Sequence, residues 1–158
     1  MRAHVASKNN KLIRLRRISP ACCRQGFPPL KPAGGSPTEG FYERRLASVF
    51  GSGLVDVLAT PVLVGFCEQA ARTAVDLLLA EGQRTVGTSI TLRHTAATPP
   101  GIKVTVRAKL VEVKRRHLRF EIEAHDEHEQ IAEAQHERFI IDTERFERRI
   151  AEKSRKIA

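Results

Sequence analysis

Three side chains in the middle of this 158-residue chain have the types and spacing to attack an activated carbonyl: a hydroxyl at Thr60, a carboxylate at Glu68 and an imidazole at His94. Glu68 interrupts an apolar run, where a carboxylate is desolvated unless something pairs it. Arg72 stands four residues on, the helical distance for an ion pair. One reading of Glu68 is therefore a surface helix pair, and the other is a partly buried general base or nucleophile whose pKa desolvation would raise. His94 ends an alternating segment on the side of Val86, Thr88, Ile90 and Leu92, where it reads either as a satisfied core histidine or as a proton-transfer partner. Thr60 precedes Pro61, which suits a helix N-cap as well as a hydroxyl that positions or attacks. Gly87 falls in mid-strand where a β-branched residue is wanted, so a bulge or a close approach of another group is expected there.

Other constellations carry less chemistry. His125, His128 and His136, with Asp126 and Glu129 nearby, have the types of metal ligands. His125 and His128 straddle a turn while His136 lies on the following strand, so a solvated hairpin without metal is expected. The chain has no Gly-x-Gly-x-x-Gly, no phosphate loop and no serine nucleophile elbow, so no nucleotide cofactor is indicated.

The elements that must position these residues follow from periodicity. Thr60, Pro61 and Gly82 bracket a helix over Pro61 to Ala80 whose apolar residues occupy nearly every face, which predicts a central helix surrounded by protein. Period-two alternation then predicts strands over Thr85–His94, Ile102–Val113, Leu118–Ala124 and Ile131–Ile141. They are separated by Thr98-Pro99-Pro100-Gly101, by Lys114-Arg115-Arg116 and by the polar turn Asp126–Glu129. A charged helix over Thr143–Lys156, with Phe146 and Ile150 on one side, closes the chain. A helix followed by four strands in antiparallel meander needs the sheet to curl around the helix, or its apolar surface stays wet. The expected class is α+β, and the arrangement resembles the hot-dog fold, a resemblance that implies two sheets paired edge to edge as a homodimer.

The formal net charge of +9 and the pI near 10.1 are unevenly placed. Of the 27 Lys and Arg, eight fall between Met1 and Thr38, which holds no acid, leaving 19 against 18 acidic residues in the remainder. The body is nearly neutral and is not built as a polyanion-binding surface, so specific nucleic-acid binding is not expected; any such binding would be tail-driven and salt-dependent. Residues 1–40 are rich in Pro and Gly and are expected to be a disordered extension with no packed element, whether plain tail, transit peptide or non-native start. Residues 41–158 are expected to form the single domain. Cys22, Cys23 and Cys67 give no disulfide framework, and the longest central apolar stretch, Val57 to Cys67, is too short to span a bilayer. A cytoplasmic protein is expected, or a mitochondrial one if the arm is a transit peptide.

Several segments together resemble the fluoroacetyl-CoA thioesterase family of hot-dog proteins. They are Val57-Leu58-Ala59-Thr60-Pro61, Glu68, Thr85-Val86-Gly87-Thr88, the block His94-Thr95-Ala96-Ala97-Thr98-Pro99-Pro100-Gly101, Ala124-His125-Asp126 and His136-Glu137-Arg138-Phe139. The resemblance covers roughly Ser48 to Phe146. It implies a threonine, glutamate and histidine triad at Thr60, Glu68 and His94, with Gly87 beside the acyl group. The implied activity is hydrolysis of a short acyl-CoA to free acid and CoA by a homodimer, or by a tetramer of stacked dimers. CoA then enters as part of the substrate, with Arg93, Lys103 or Arg107 meeting its phosphates, and no cofactor is implied. The alternative is a non-catalytic hot-dog module that binds acyl-CoA.

Two departures from the family stand out. Fluoroacetyl-specific members carry phenylalanines in a lid before the threonine, at positions that correspond to Gly51 and Leu54, so a different acyl group is expected. The family's first strand matches poorly at Phe41–Ala47, which predicts either a degenerate strand or a non-native N-terminus, with an open sheet edge if the strand is missing.

Overall fold

The computed structural model describes residues 22–27 and 44–156. In chain order these form β1 (Cys22–Phe27), α1 (Ala47–Phe50), α2 (Thr60–Asp76), β2 (Gln83–His94), β3 (Val104–Lys114), β4 (His117–His125), β5 (Gln130–Asp142) and α3 (Thr143–Arg155). The five strands make one antiparallel sheet in the order β1-β3-β4-β5-β2. Leu63, Cys67, Ala70 and Ala71 of α2 pack into its concave face against Val106, Leu118, Phe120, Ile131 and Ile140. This is the hot-dog arrangement.

The meander holds for β3, β4 and β5, but β2 pairs with β5 and not with its sequence neighbour β3. Residues 95–103 are too long for a hairpin, and they cross the end of the sheet instead, where buried Thr98 is tied to the rest: its carbonyl accepts from Leu58 N at 2.9 Å and its hydroxyl donates to Asp126 at 3.3 Å. β2 therefore becomes an edge strand.

A packed element does exist inside the segment expected to hold none. β1 pairs along the free edge of β3, from Cys22 opposite Lys109 to Phe27 opposite Val104, and the buried Phe27 ring stacks on Phe66 of α2 at 3.9 Å. The prolines at 20, 28 and 29 bound this strand and do not interrupt it. The first strand is thus not at Phe41–Ala47; of those positions, Leu46 makes only an isolated bridge to Leu58 before α1 begins. The expectations for the rest of residues 1–40 fall outside the described residues.

α2 also departs from the expectation. It ends at Asp76, and Gly82, with φ +75°, turns the chain into β2. Ala59, not Thr60, is the N-cap, and Thr60 is already helical with no capping hydrogen bond from its side chain. One face remains open, since Pro61, Gly65, Gln69 and Arg72 are exposed. Burial pushes the Cys67 thiol up to about 12, which suits inert core filling. At the other end, α3 is capped by the Asp142 carboxylate, which accepts from Arg145 N at 2.9 Å, and it buries none of its residues.

Candidate active site

The N-terminus of α2 meets the C-terminal end of β2, and there Thr60 Oγ1 lies 2.9 Å from His94 Nδ1. The hydroxyl is free to make this bond because Ala59 performs the capping. Burial pulls the His94 pKa below the usual imidazole value, with weaker opposition from the Ala96 backbone, so the neutral ring, which can accept a proton, is the form favoured at neutral pH. Its Nε2 is buried with no partner in hydrogen-bonding geometry among the described residues. In the first turn of α2, Val62 N and Leu63 N both donate to Ala59 O and Pro61 has no N–H, which leaves the Thr60 amide without a backbone acceptor among the described residues. A groove of about 390 Å³ opens over this pair, floored by Thr60, His94 and residues 95–97 and walled by the loop after α1.

That loop is held by Ala47 N donating to Val57 O at 2.8 Å and by a Ser48–Asp56 side-chain bond. Fully exposed Leu54 lines the groove together with Ser52, Gly53, Val55 and Val57. Gly51 does not line it. With φ +87° it closes α1 by donating to Ala47 O, a backbone requirement that favours glycine there.

Glu68 sits elsewhere. Eight residues of α-helix separate it from Thr60, a rise of about 12 Å, and it bonds neither Thr60 nor His94. Arg72 does not pair with it either, bonding Asp76 at 3.0 Å. The Glu68 side chain is 45% exposed, and its Oε1 occupies the space where a Cβ on Gly87 would have to go. Glycine at 87 is thus explained by close approach.

A bulge is present as well. The β2–β5 register slips between Gly87, opposite Arg138, and Ser89, opposite Glu137. The extra residue reverses the alternation: Gly87 shares the concave face with Ile90, Leu92 and His94, while Val86 and Thr88, expected on that face, do not. Without it Gly87 and His94 would point to opposite sides of the sheet.

Behind Glu68 lie two buried residues that spacing alone did not single out, although both belong to the His136–Phe139 segment. Arg138 donates from Nε to Thr85 Oγ1 at 2.9 Å, from Nη2 to Thr85 O at 3.0 Å and from Nη1 toward His136 Nε2 at 3.1 Å. His136 Nδ1 lies 2.7 Å from Ser89 O, and its Nε2 is 3.8 Å from Glu68 Oε1. Burial lowers the pKa of both groups, and the Glu68 carboxylate partly restores it. Their alternating inward positions on β5 are the signal that could have found them.

The remaining candidates are dispersed. His136 is inside the sheet while His125 and His128 stay at the turn, and no group of three or more metal-ligating side chains occurs among the described residues. Arg93 and Arg107 face outward, away from α2, and Arg93 pairs with Glu133 at 3.3 Å. They line a surface of the sheet separate from the groove over Thr60 and His94. Lys103 lies beside Gly26. Among the described residues no helix is long and apolar enough to cross a membrane.

Comparison with known proteins adds the following. Residues 42–144 match the family described as fluoroacetyl-CoA-specific thioesterase. A fluoroacetyl-CoA thioesterase of Streptantibioticus cattleyicolor is 40% identical over 99 residues, 63% of this chain and 71% of that protein. A solved structure of a fluoroacetyl-CoA thioesterase superposes with a TM-score of 0.72 at 30% identity, covering 85% of this chain and 95% of that one. A thioesterase superfamily member from Thermus thermophilus shares the fold at 20% identity, with a TM-score of 0.69 over 87% of this chain and 95% of its own.

Proposed function

Because the chain belongs to the fluoroacetyl-CoA-specific thioesterase family, we propose that it hydrolyses a short acyl-CoA to the free acid and CoA. The observation that carries this is the Thr60 Oγ1–His94 Nδ1 hydrogen bond at the floor of an open groove. A neutral imidazole bonded to a hydroxyl is a nucleophile with its base. His94 takes the proton from the attacking oxygen, which is Thr60 Oγ1 or a water bonded to it. The carbonyl carbon–sulfur bond breaks as the new carbon–oxygen bond matures, and the same proton passes to the departing sulfur. The Thr60 amide at the start of α2 faces the oxygen that gains charge. When Thr60 is the attacking group, water then releases the acid from the threonyl ester.

Glu68 enters through a second copy of the chain. Within one protomer Gly87 and His94 are seven strand residues apart, roughly 20 Å, and β2 is an edge whose outer side has no strand partner among the described residues. Antiparallel pairing of two β2 edges centred near Ile90 and Thr91 sets His94 of one protomer opposite the partner's Gly87. The partner's Glu68 is then beside the Thr60–His94 pair, completing the Thr60, Glu68 and His94 set with Gly87 next to the acyl group. Exposed Leu54 and the glycine at 51 leave the groove without an aromatic wall from either position, which suits acyl groups other than fluoroacetyl.

The test is thiol release from short, branched, aromatic and fluorinated acyl-CoAs. Glu68→Gln and Thr60→Ala are expected to lose between about a hundredfold and ten-thousandfold in kcat, with Thr60→Ser recovering part of it. Saturable acyl-CoA binding with no thiol release from the folded wild type would instead make this a binding module. A mass gain of one acyl group on rapid quenching, mapped to the Thr60 peptide and lost in Thr60→Ala, would assign the attack to Thr60.

A further inference from the structure

Resting on the thioesterase reading, we propose that His136 is a positioning residue that keeps the buried Arg138 guanidinium off the Glu68 carboxylate. The hydrogen-bond inventory leaves little freedom. A neutral imidazole has one donor and one acceptor. Ser89 O can only accept, so Nδ1, 2.7 Å away, carries the ring proton. Nε2 is therefore the acceptor, and it faces Arg138 Nη1, which can only donate, at 3.1 Å.

Arg138 has its Nε and Nη2 committed to Thr85. Nη1 has two N–H groups: one is directed to the Glu68 carbonyl at 3.5 Å, and for the one that faces His136 the nearby alternative is the Glu68 side chain. An unsatisfied N–H on a buried guanidinium is costly. Deprived of Nε2, Nη1 would turn to the carboxylate 3.8 Å from that nitrogen and draw it off Gly87 into a closed ion pair. The bulge serves the same end, because Ser89 follows the register slip and its carbonyl anchors the ring. An ordinary core histidine would need only its own two bonds met. Here the two bonds join a strand irregularity to an arginine beside a candidate catalytic carboxylate.

Two substitutions separate the roles of the two nitrogens. His136→Asn keeps a donor for Ser89 O but its shorter side chain places no acceptor where Nε2 met Arg138, whereas His136→Gln can present an oxygen to Arg138 Nη1. The expected result is a kcat lowered between about tenfold and a hundredfold in His136→Asn, with KM little changed and substantial recovery in His136→Gln. Wild-type kcat in His136→Asn, or equal losses in both variants that track their thermal stability, would overturn the proposal. A readout independent of turnover is the imidazole ¹⁵N spectrum of the wild-type protein above about pH 7, where His136 is expected as the Nδ1-protonated neutral tautomer. The opposite tautomer would overturn the arrangement even if the protein hydrolyses acyl-CoA. The expected tautomer in a protein that releases no thiol would show the function reading at fault and leave the contact between His136 and Arg138 standing.

Discussion

Thr60 and His94 form a pair whose chemistry depends on the imidazole being neutral. Burial disfavours the imidazolium, so the acid limb of kcat/KM is expected with its midpoint below about 6.5, the ordinary imidazole value. As pH falls through that limb, His94 gains a proton and can no longer take one from the attacking oxygen. A limb centred above the ordinary value would show that the imidazolium is favoured and would remove His94 as the base. Stability follows the same sign. His94 and His136 both have folded pKa values below their unfolded ones, so the unfolded chain binds protons first. Their contribution is complete above about pH 6.5 and is lost as pH falls through the folded values. Asp126 acts lower on the scale: burial pulls its pKa up, but backbone N–H groups of Glu129 and His128 and the Thr98 hydroxyl outweigh it and leave it depressed. Melting temperature is therefore expected to decline in two steps on acidification, with the upper step smaller in His94→Gln.

At the level of elements, the bulge in β2 decides whether the site exists. Gly87→Ala would drive a Cβ into Glu68 Oε1, and the carboxylate must move for the strand to keep its register. Because the clashing oxygen is the far end of a half-exposed side chain that can swing aside, the expected outcome is a stability change within about 1 kcal/mol, a large fall in kcat and an unchanged fold, checked by denaturant titration and thiol release. Retention of wild-type kcat would place Glu68 outside the reaction. This region also shows what the amino-acid pattern could and could not reveal. Apolar alternation located β3, β4 and β5 to within two residues at each end, because each buries one face against α2 and exposes the other. The same alternation misplaced Val86 and Thr88, because a period-two count assumes an unbroken register and the bulge breaks it. Thr60 and His94 were legible as chemical types, but their contact depends on α2 and β2 running antiparallel across the core. Arg138 was hidden among many surface arginines, and only its inward strand position distinguishes it.

For the whole molecule, the unexpected strand is the N-terminal one. β1 was not legible because prolines and glycines surround it, and because its partner β3 is distant in sequence. Removing residues 1–40 would strip the β3 edge of its hydrogen bonds and expose the Phe66 ring that Phe27 covers. A stability loss on the order of 3 kcal/mol is expected from the lost aromatic packing alone, or a melting temperature lower by roughly 10 °C. An unchanged melting temperature would make the strand dispensable. The strand order has a further consequence, for biosynthesis. Both edge strands, β1 and β2, are made before the three that lie between them. Residues 22–27 leave the ribosome roughly 4 to 16 seconds before β3 is complete, at about 5–20 residues per second, and β2 has no partner until β5 follows. The nascent chain thus carries β1 unpaired until β3 is made and β2 unpaired from residue 94 until β5 emerges, and the sheet closes only when its last strand is slotted into place between β4 and β2.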